Sequence, residues 1–170
     1  METHDREGKD CAVRLRPATV EDEPFLRHLF ATTREAELGL MPWDEDQKKK
    51  FIAMQFKAQS QQYAMTYPQA DNSIILFTEE TVGRMMVARN EAAISLVDIA
   101  LLPEYRNAGI GTALIQDLLK GAAIVGKPVR LSVFASSAAI RLYERLGFSR
   151  VGPDAAYLEM MWNPPVSPSG

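Results

Sequence analysis

Apolar and polar side chains alternate over residues 12 to 16 (Ala-Val-Arg-Leu-Arg), the pattern of a half-buried strand, and Pro17 is expected to close it. Thr19 with Asp22 three residues on reads as a capping box. Pro24 would lie too deep in a helix begun there, so the alternative start is Pro24 itself, and either way the helix runs to about Glu37. Leu38 to Trp43 is a short linker. Asp44 with Gln47 repeats the capping-box signal and predicts a second helix to Tyr67, stopped by Pro68. Its Ile52, Phe56, Tyr63 and Tyr67 keep helical spacing and read as a core stripe with a wet back.

From Ser73 the period shortens. Ile74 to Thr78, Val82 to Arg89 and Ala93 to Leu101 are apolar segments separated by Glu79-Glu80-Thr81 and Asn90-Glu91-Ala92, which predicts an antiparallel meander. A glycine-bearing loop follows Leu102-Pro103, then a helix from about Gly109 to Val125 with Leu114, Leu118, Ala122 and Val125 on one face. Lys127-Pro128 ends it and a strand runs from Val129 to Phe134. Ser136 is placed to cap a helix through Leu146, Gly147 to stop it, and Phe148 to Val151 with Ala156 to Trp162 to form a closing hairpin.

The 170 residues fit one domain, taken as 12–162, between an N-terminal segment 1–11 and a Pro/Ser tail 163–170 that both read as flexible. A composition of 46% hydrophobic and 24% charged residues is globular rather than disordered. The net charge of −3, with no basic block longer than Lys48-Lys49-Lys50, leaves no footprint for nucleic acid. Cys11 is the lone cysteine, which excludes an internal disulfide framework, and His4 and His28 have no partners at metal-ligand spacing, so no metal site is expected. With no secretory signal and no apolar run of membrane-spanning length, the expectation is a soluble cytoplasmic protein without membrane contact.

Arg106-Asn107-Ala108-Gly109-Ile110-Gly111 follows a strand and opens a helix, where free backbone N–H groups and the helix dipole favour an anion. Gly109 and Gly111 remove side chains at two points of close approach, and Arg106 adds a cation suited to phosphate oxygens. The same six residues also suit an ordinary strand-to-helix turn. A P-loop would need lysine after Gly111, which Thr112 replaces, and a dinucleotide fingerprint would need a third glycine where Leu114 stands. Nucleoside triphosphates and nicotinamide cofactors are therefore not expected.

On this loop, on Val97-Asp98-Ile99-Ala100-Leu101-Leu102-Pro103-Glu104-Tyr105 before it, and on Ala139-Ile140-Arg141-Leu142-Tyr143-Glu144-Arg145-Leu146-Gly147-Phe148, the chain resembles the GNAT superfamily of N-acetyltransferases. Arg14-Leu15-Arg16-Pro17-Ala18-Thr19 is similar to the usual start, so the resemblance covers approximately residues 12 to 162. It implies an α/β fold with a mixed, mostly antiparallel central sheet flanked by helices. The central strands splay apart, here the one ending near Leu101 and the one from Val129 to Phe134. It further implies acetyl-CoA as acetyl donor. Arg106 through Thr112 would hold the pyrophosphate, main-chain groups around Ile99 and Leu101 would hold the carrier arm, and a primary amine would attack directly without an acyl-enzyme.

The resemblance assigns Tyr143 as the general acid that protonates the departing thiolate, its phenol pKa of about 10 lying above a thiol's roughly 8.5. By spacing alone Tyr143 sits on a helical stripe with Ala139, Leu142 and Leu146 and reads equally as core. Asp98 is the carboxylate nearest the loop in sequence and the candidate base, although the strand position where some family members carry glutamate falls at Ser95, on the opposite face unless a bulge intervenes. A strand-end carboxylate or salt bridge serves Asp98 as well. Ser136 stands where the family often has an asparagine that holds the cofactor arm. A non-catalytic acyl-CoA-binding or sensor domain, or an interaction module, would keep the same fold. The acceptor, a small-molecule or peptide amine, is not legible, and a homodimer stays open because the last strand could pair with a partner.

Overall fold

The computed structural model describes residues 12–166, so His4 and Cys11 lie outside the described residues. Seven strands form one sheet in the order β1-β2-β3-β4-β5-β7-β6: β1 (Val13–Pro17), β2 (Asp71–Phe77), β3 (Glu80–Arg89), β4 (Ile94–Leu101), β5 (Val129–Phe134), β6 (Ser149–Val151) and β7 (Tyr157–Trp162). The sheet is mostly antiparallel; β4 and β5 pair in parallel, from Ile94↔Val129 to Leu96↔Leu131, and beyond these pairs β4 runs on to Leu101 and β5 to Phe134. Its helices are α1 (Glu23–Thr33), α2 (Glu35–Gly39), α3 (Glu45–Thr66), α4 (Ile110–Val125) and α5 (Ala139–Arg145). Contacts group the chain into two units, residues up to Met85 with Ile99–Arg106, and Met86–Asp98 with the chain from Asn107 onward.

In the first unit, β1 ends at Pro17, which still pairs with Ser73. Both start signals of the first helix are used. The Asp22 carboxylate accepts from the Thr19 amide at 2.8 Å and fixes a 3-10 turn over Val20–Asp22, after which α1 begins with Pro24 in its first turn. Asp22 also accepts from both terminal nitrogens of Arg16, at 2.8 and 2.7 Å, tying β1 to the turn. The single helix expected to Glu37 breaks at Arg34 into α1 and α2. Asp44 and Gln47 exchange the two capping-box bonds, and α3 ends before Tyr67. Leu26, Phe30, Leu38, Ile52, Phe56, Ile74 and Leu76 make the core, so the first half of the α3 stripe is buried. Tyr63 is half-buried, with the Arg84 guanidinium 5.5 Å from its ring centre.

The turn between β2 and β3 is Thr78-Glu79, both at positive φ, not the expected Glu79-Glu80-Thr81. Two residues with φ above zero match the twist of a tight hairpin. Gly83 on β3 cannot carry a side chain, since a Cβ would stand 2.3 Å from the Ala100 carbonyl oxygen.

The second unit packs Ile110, Leu114, Ile115, Leu118, Leu119 and Ala122 of α4 inward. Val125, expected on the same stripe, is exposed. Gly126, left-handed at φ 70°, rather than Lys127-Pro128, stops α4, and the Lys127 amide closes the end by donating to Ala122. β5 and β7 pair along their whole length, Val129↔Trp162 to Phe134↔Tyr157.

Candidate active site

The chain enters α4 from Asn107, at φ 61°, and Gly109, at φ 85° and ψ 0°, both left-handed. Glycine alone takes that region without cost, and space is open around it, with no atom within 4 Å of a Cβ built on Gly109. The first helical bond is from the Ala113 amide to the Gly109 carbonyl at 3.0 Å, so the Ile110, Gly111 and Thr112 amides precede the intrahelical ladder. No side chain caps this end. A 16-residue helix therefore opens with three amides and its dipole's positive end, which is what an anion requires. The Ile110 side chain is buried, so that residue can offer only its backbone; Asn107, Ala108 and Gly109 are exposed.

Arg106, just before this turn, is exposed, and its Nε donates to the Leu101 carbonyl at 3.0 Å. This bond uses one guanidinium donor and one lone pair of a carbonyl that the resemblance gives to the carrier arm. Ile99 and Leu101 are half-buried near the C-terminal end of β4.

Tyr143 on α5 is 8% exposed. Its position is fixed by the way the helix ends. Gly147, at φ 101°, follows the cap residue Leu146; its amide donates to Glu144 and the Phe148 amide donates back to Tyr143, at 3.1 and 3.0 Å. These are the paired bonds of a Schellman motif, and the apolar contact that accompanies it is the edge-on packing of Phe148 against Tyr143, ring centres 5.7 Å apart. In the sequence Gly147 reads as a stop and Phe148 as a strand start; the Gly-Phe pair following a tyrosine four residues earlier is the signal for a locked ring.

Burial pushes the Tyr143 phenol up to about 12, and the Asp98 carboxylate adds to the rise. The phenol is thus fully protonated at neutral pH. Asp98 lies on β4 beyond Leu96, the last residue of the β4–β5 pairing, and is half-buried. Two backbone bonds bracket the β3–β4 hairpin, Asn90 to Ala93 and Leu102 to Val82. Between them the β4 side is one residue longer than the β3 side, the excess that a bulge accommodates, and an excess residue reverses side-chain facing along the strand.

Ser136 does not cap α5. It is exposed in the turn after β5, and the neighbouring Ser137 accepts the Ala139 amide through Oγ at 3.1 Å. The helix starts two residues later than expected because the Phe134–Ser137 turn must close first. Among the described residues no group of three His, Cys, Asp or Glu could hold a metal ion, and no helix is long and apolar enough to cross a membrane.

Residues 38–157 match the acetyltransferase (GNAT) domain family. The cysteine-rich protein 2-binding protein of Mus musculus is 37% identical over 89 residues, which is 49% of this chain but 11% of that protein's length. An N-alpha-acetyltransferase of Sulfurisphaera tokodaii is 48% identical over 59 residues, 33% of this chain and 35% of its own. Among solved structures, the PaiA N-acetyltransferase of Thermoplasma acidophilum in complex with coenzyme A superposes with a TM-score of 0.67 at 17% identity, over 89% of this chain and 98% of that one. The ribosomal-protein-S18-alanine N-acetyltransferase of Escherichia coli gives 0.60 at 22% identity, over 93% and 96%. Likeness at these identities establishes the fold, and the domain match, from α2 to the start of β7, establishes the family: the chain belongs to the GNAT acetyltransferases.

Proposed function

We propose that the protein transfers an acetyl group from acetyl-CoA to a primary amine by direct attack, without an acyl-enzyme. The observation that carries this reading is the uncapped start of α4, where the Ile110, Gly111 and Thr112 amides follow a left-handed Gly109. These amides suit the pyrophosphate, with the Arg106 terminal nitrogens as charged donors and the main chain of Ile99 and Leu101 along the pantetheine arm.

In this reading the amine nitrogen attacks the acetyl carbon, the carbon–sulfur bond breaks, and Tyr143 gives its proton to the sulfur as negative charge develops there. A phenol at about 12 holds its proton securely but parts with it reluctantly. Asp98 answers this. Its negative charge contributes to the raised value, so when Asp98 accepts the proton lost by the amine, directly or through water, Tyr143 becomes the stronger acid as the thiolate leaves. Base and acid are then coupled through one charge.

Calorimetry with acetyl-CoA tests the cradle. Wild type should bind, and Gly109→Trp, checked for fold by circular dichroism, should lose binding by at least tenfold, since it fills the approach to the amides and strains a left-handed residue. Thiol release against a panel of amines then identifies the acceptor. Failure of wild type to bind acetyl-CoA would overturn the proposal.

A further inference from the structure

The first unit carries a groove of about 770 Å³ between α1, α2 and the start of α3, a volume in the range of small-molecule sites. Its floor is apolar. Leu38 and Ile52 are buried core residues that also line it, joined by Ala31 and Ala53. Its rim is charged, and unevenly so: Arg27, Lys48, Lys49 and Lys50 outnumber Glu35 and Glu45. Of the two carboxylates, Glu45 already lies 3.9 Å from Lys48. Arg27 pairs outside the groove with Glu23, at 3.0 Å.

The charge excess runs against the chain's net charge of −3. A chain with three surplus negative charges has nonetheless gathered three consecutive lysines at the mouth of an apolar groove. The loop motif, Tyr143 and Asp98 use none of these residues. An apolar floor beside a cationic rim matches one ligand chemistry, a hydrocarbon body ending in a single anionic group: the body covers Leu38, Ile52 and the two alanines while the headgroup meets the lysines.

We infer that this groove is a second binding site, taking a small amphiphilic carboxylate. Binding of such a carboxylate does not depend on acetyl transfer being demonstrated. The probe is decanoate below its micelle concentration, measured by calorimetry on the full chain, with decanol as the neutral control of equal length. Decanoate should bind with one-to-one stoichiometry, and decanol at least tenfold more weakly. Ala53→Trp, at an exposed position of α3, should abolish binding by filling the groove, while its circular dichroism and melting stay those of wild type. Lys49→Glu with Lys50→Glu should weaken decanoate at least tenfold and leave decanol unchanged. No saturable binding to wild type, equal affinity for decanol, or undiminished binding to Ala53→Trp would each overturn the inference.

Discussion

Tyr143 is where a core position and the proposed chemical role meet in one side chain. The sequence could not separate them, because a buried stripe and a catalytic tyrosine have the same spacing. Its ring is packed on Phe148 and its phenol is raised by burial first and by Asp98 second. In the proposed reaction the hydroxyl serves chemistry while the ring serves packing, so Tyr143→Phe divides them. In the proposed reaction this variant should bind acetyl-CoA as wild type does and lose roughly 10²- to 10⁴-fold in kcat, with little change in melting temperature. Steady-state kinetics beside calorimetry would check it; an unchanged kcat would return Tyr143 to the core alone. Asp98 was legible as a carboxylate near the loop, whereas its effect on Tyr143 was not, since the two are separated by 45 positions and meet only through the fold.

Helix ends decide more of this site than helix faces do. α4 starts on a left-handed glycine and stops on another, and α5 ends on a third. Gly147 has two reasons to be glycine: φ of 101°, and Trp162 Cδ1 3.1 Å from where a Cβ would stand. Gly147→Ala should therefore cost about 1–2 kcal/mol and loosen the Schellman closure that seats Tyr143. Urea unfolding would give the stability loss, and a fall in kcat larger than any change in acetyl-CoA affinity would report the displaced phenol. The sequence announced the Gly147 stop and the Asp44–Gln47 box correctly because such signals are local, while the Gly126 stop was passed over for Lys127-Pro128. It misplaced the hairpin turn at Thr78-Glu79, since two non-glycine residues at positive φ leave no composition signal, and it gave α5's cap to Ser136 because adjacent serines differ only in the turn that precedes them.

Across the molecule, the β2-β3-β4 run and the β6–β7 hairpin were readable from local pattern, and the place of β5 beside β4 only through the family resemblance. Alternation fixes which residues are strands, but β5 lies between β4 and β7 for reasons of long-range pairing that no local window holds. The unfolding profile with pH is likewise a property of the whole chain, and two residues set opposite ends of it. Asp22, buried with Arg16 and the Thr19 amide as partners, is held well below the usual carboxylate range. Because its folded value is depressed, its contribution is complete above the unfolded value of about 3.9 and is lost as pH falls through the folded one. Tyr143 behaves in the opposite sense. Raised to about 12, it contributes fully below the unfolded value of about 10 and loses that contribution as pH climbs through 12. Asp22→Asn keeps the shape and removes the charge, so it should be less stable than wild type by about 2 kcal/mol at pH 7, a figure held down because Arg16 is partly solvated. That gap should narrow progressively below pH 4, as the unfolded wild-type chain takes up the proton on Asp22 that the folded protein still refuses. Urea titrations of both proteins at pH 7, 4 and 3 would measure it. A gap that stayed constant with pH would mean that the amide disturbs packing, and that the Arg16–Asp22 charge pair is not what ties β1 to α1.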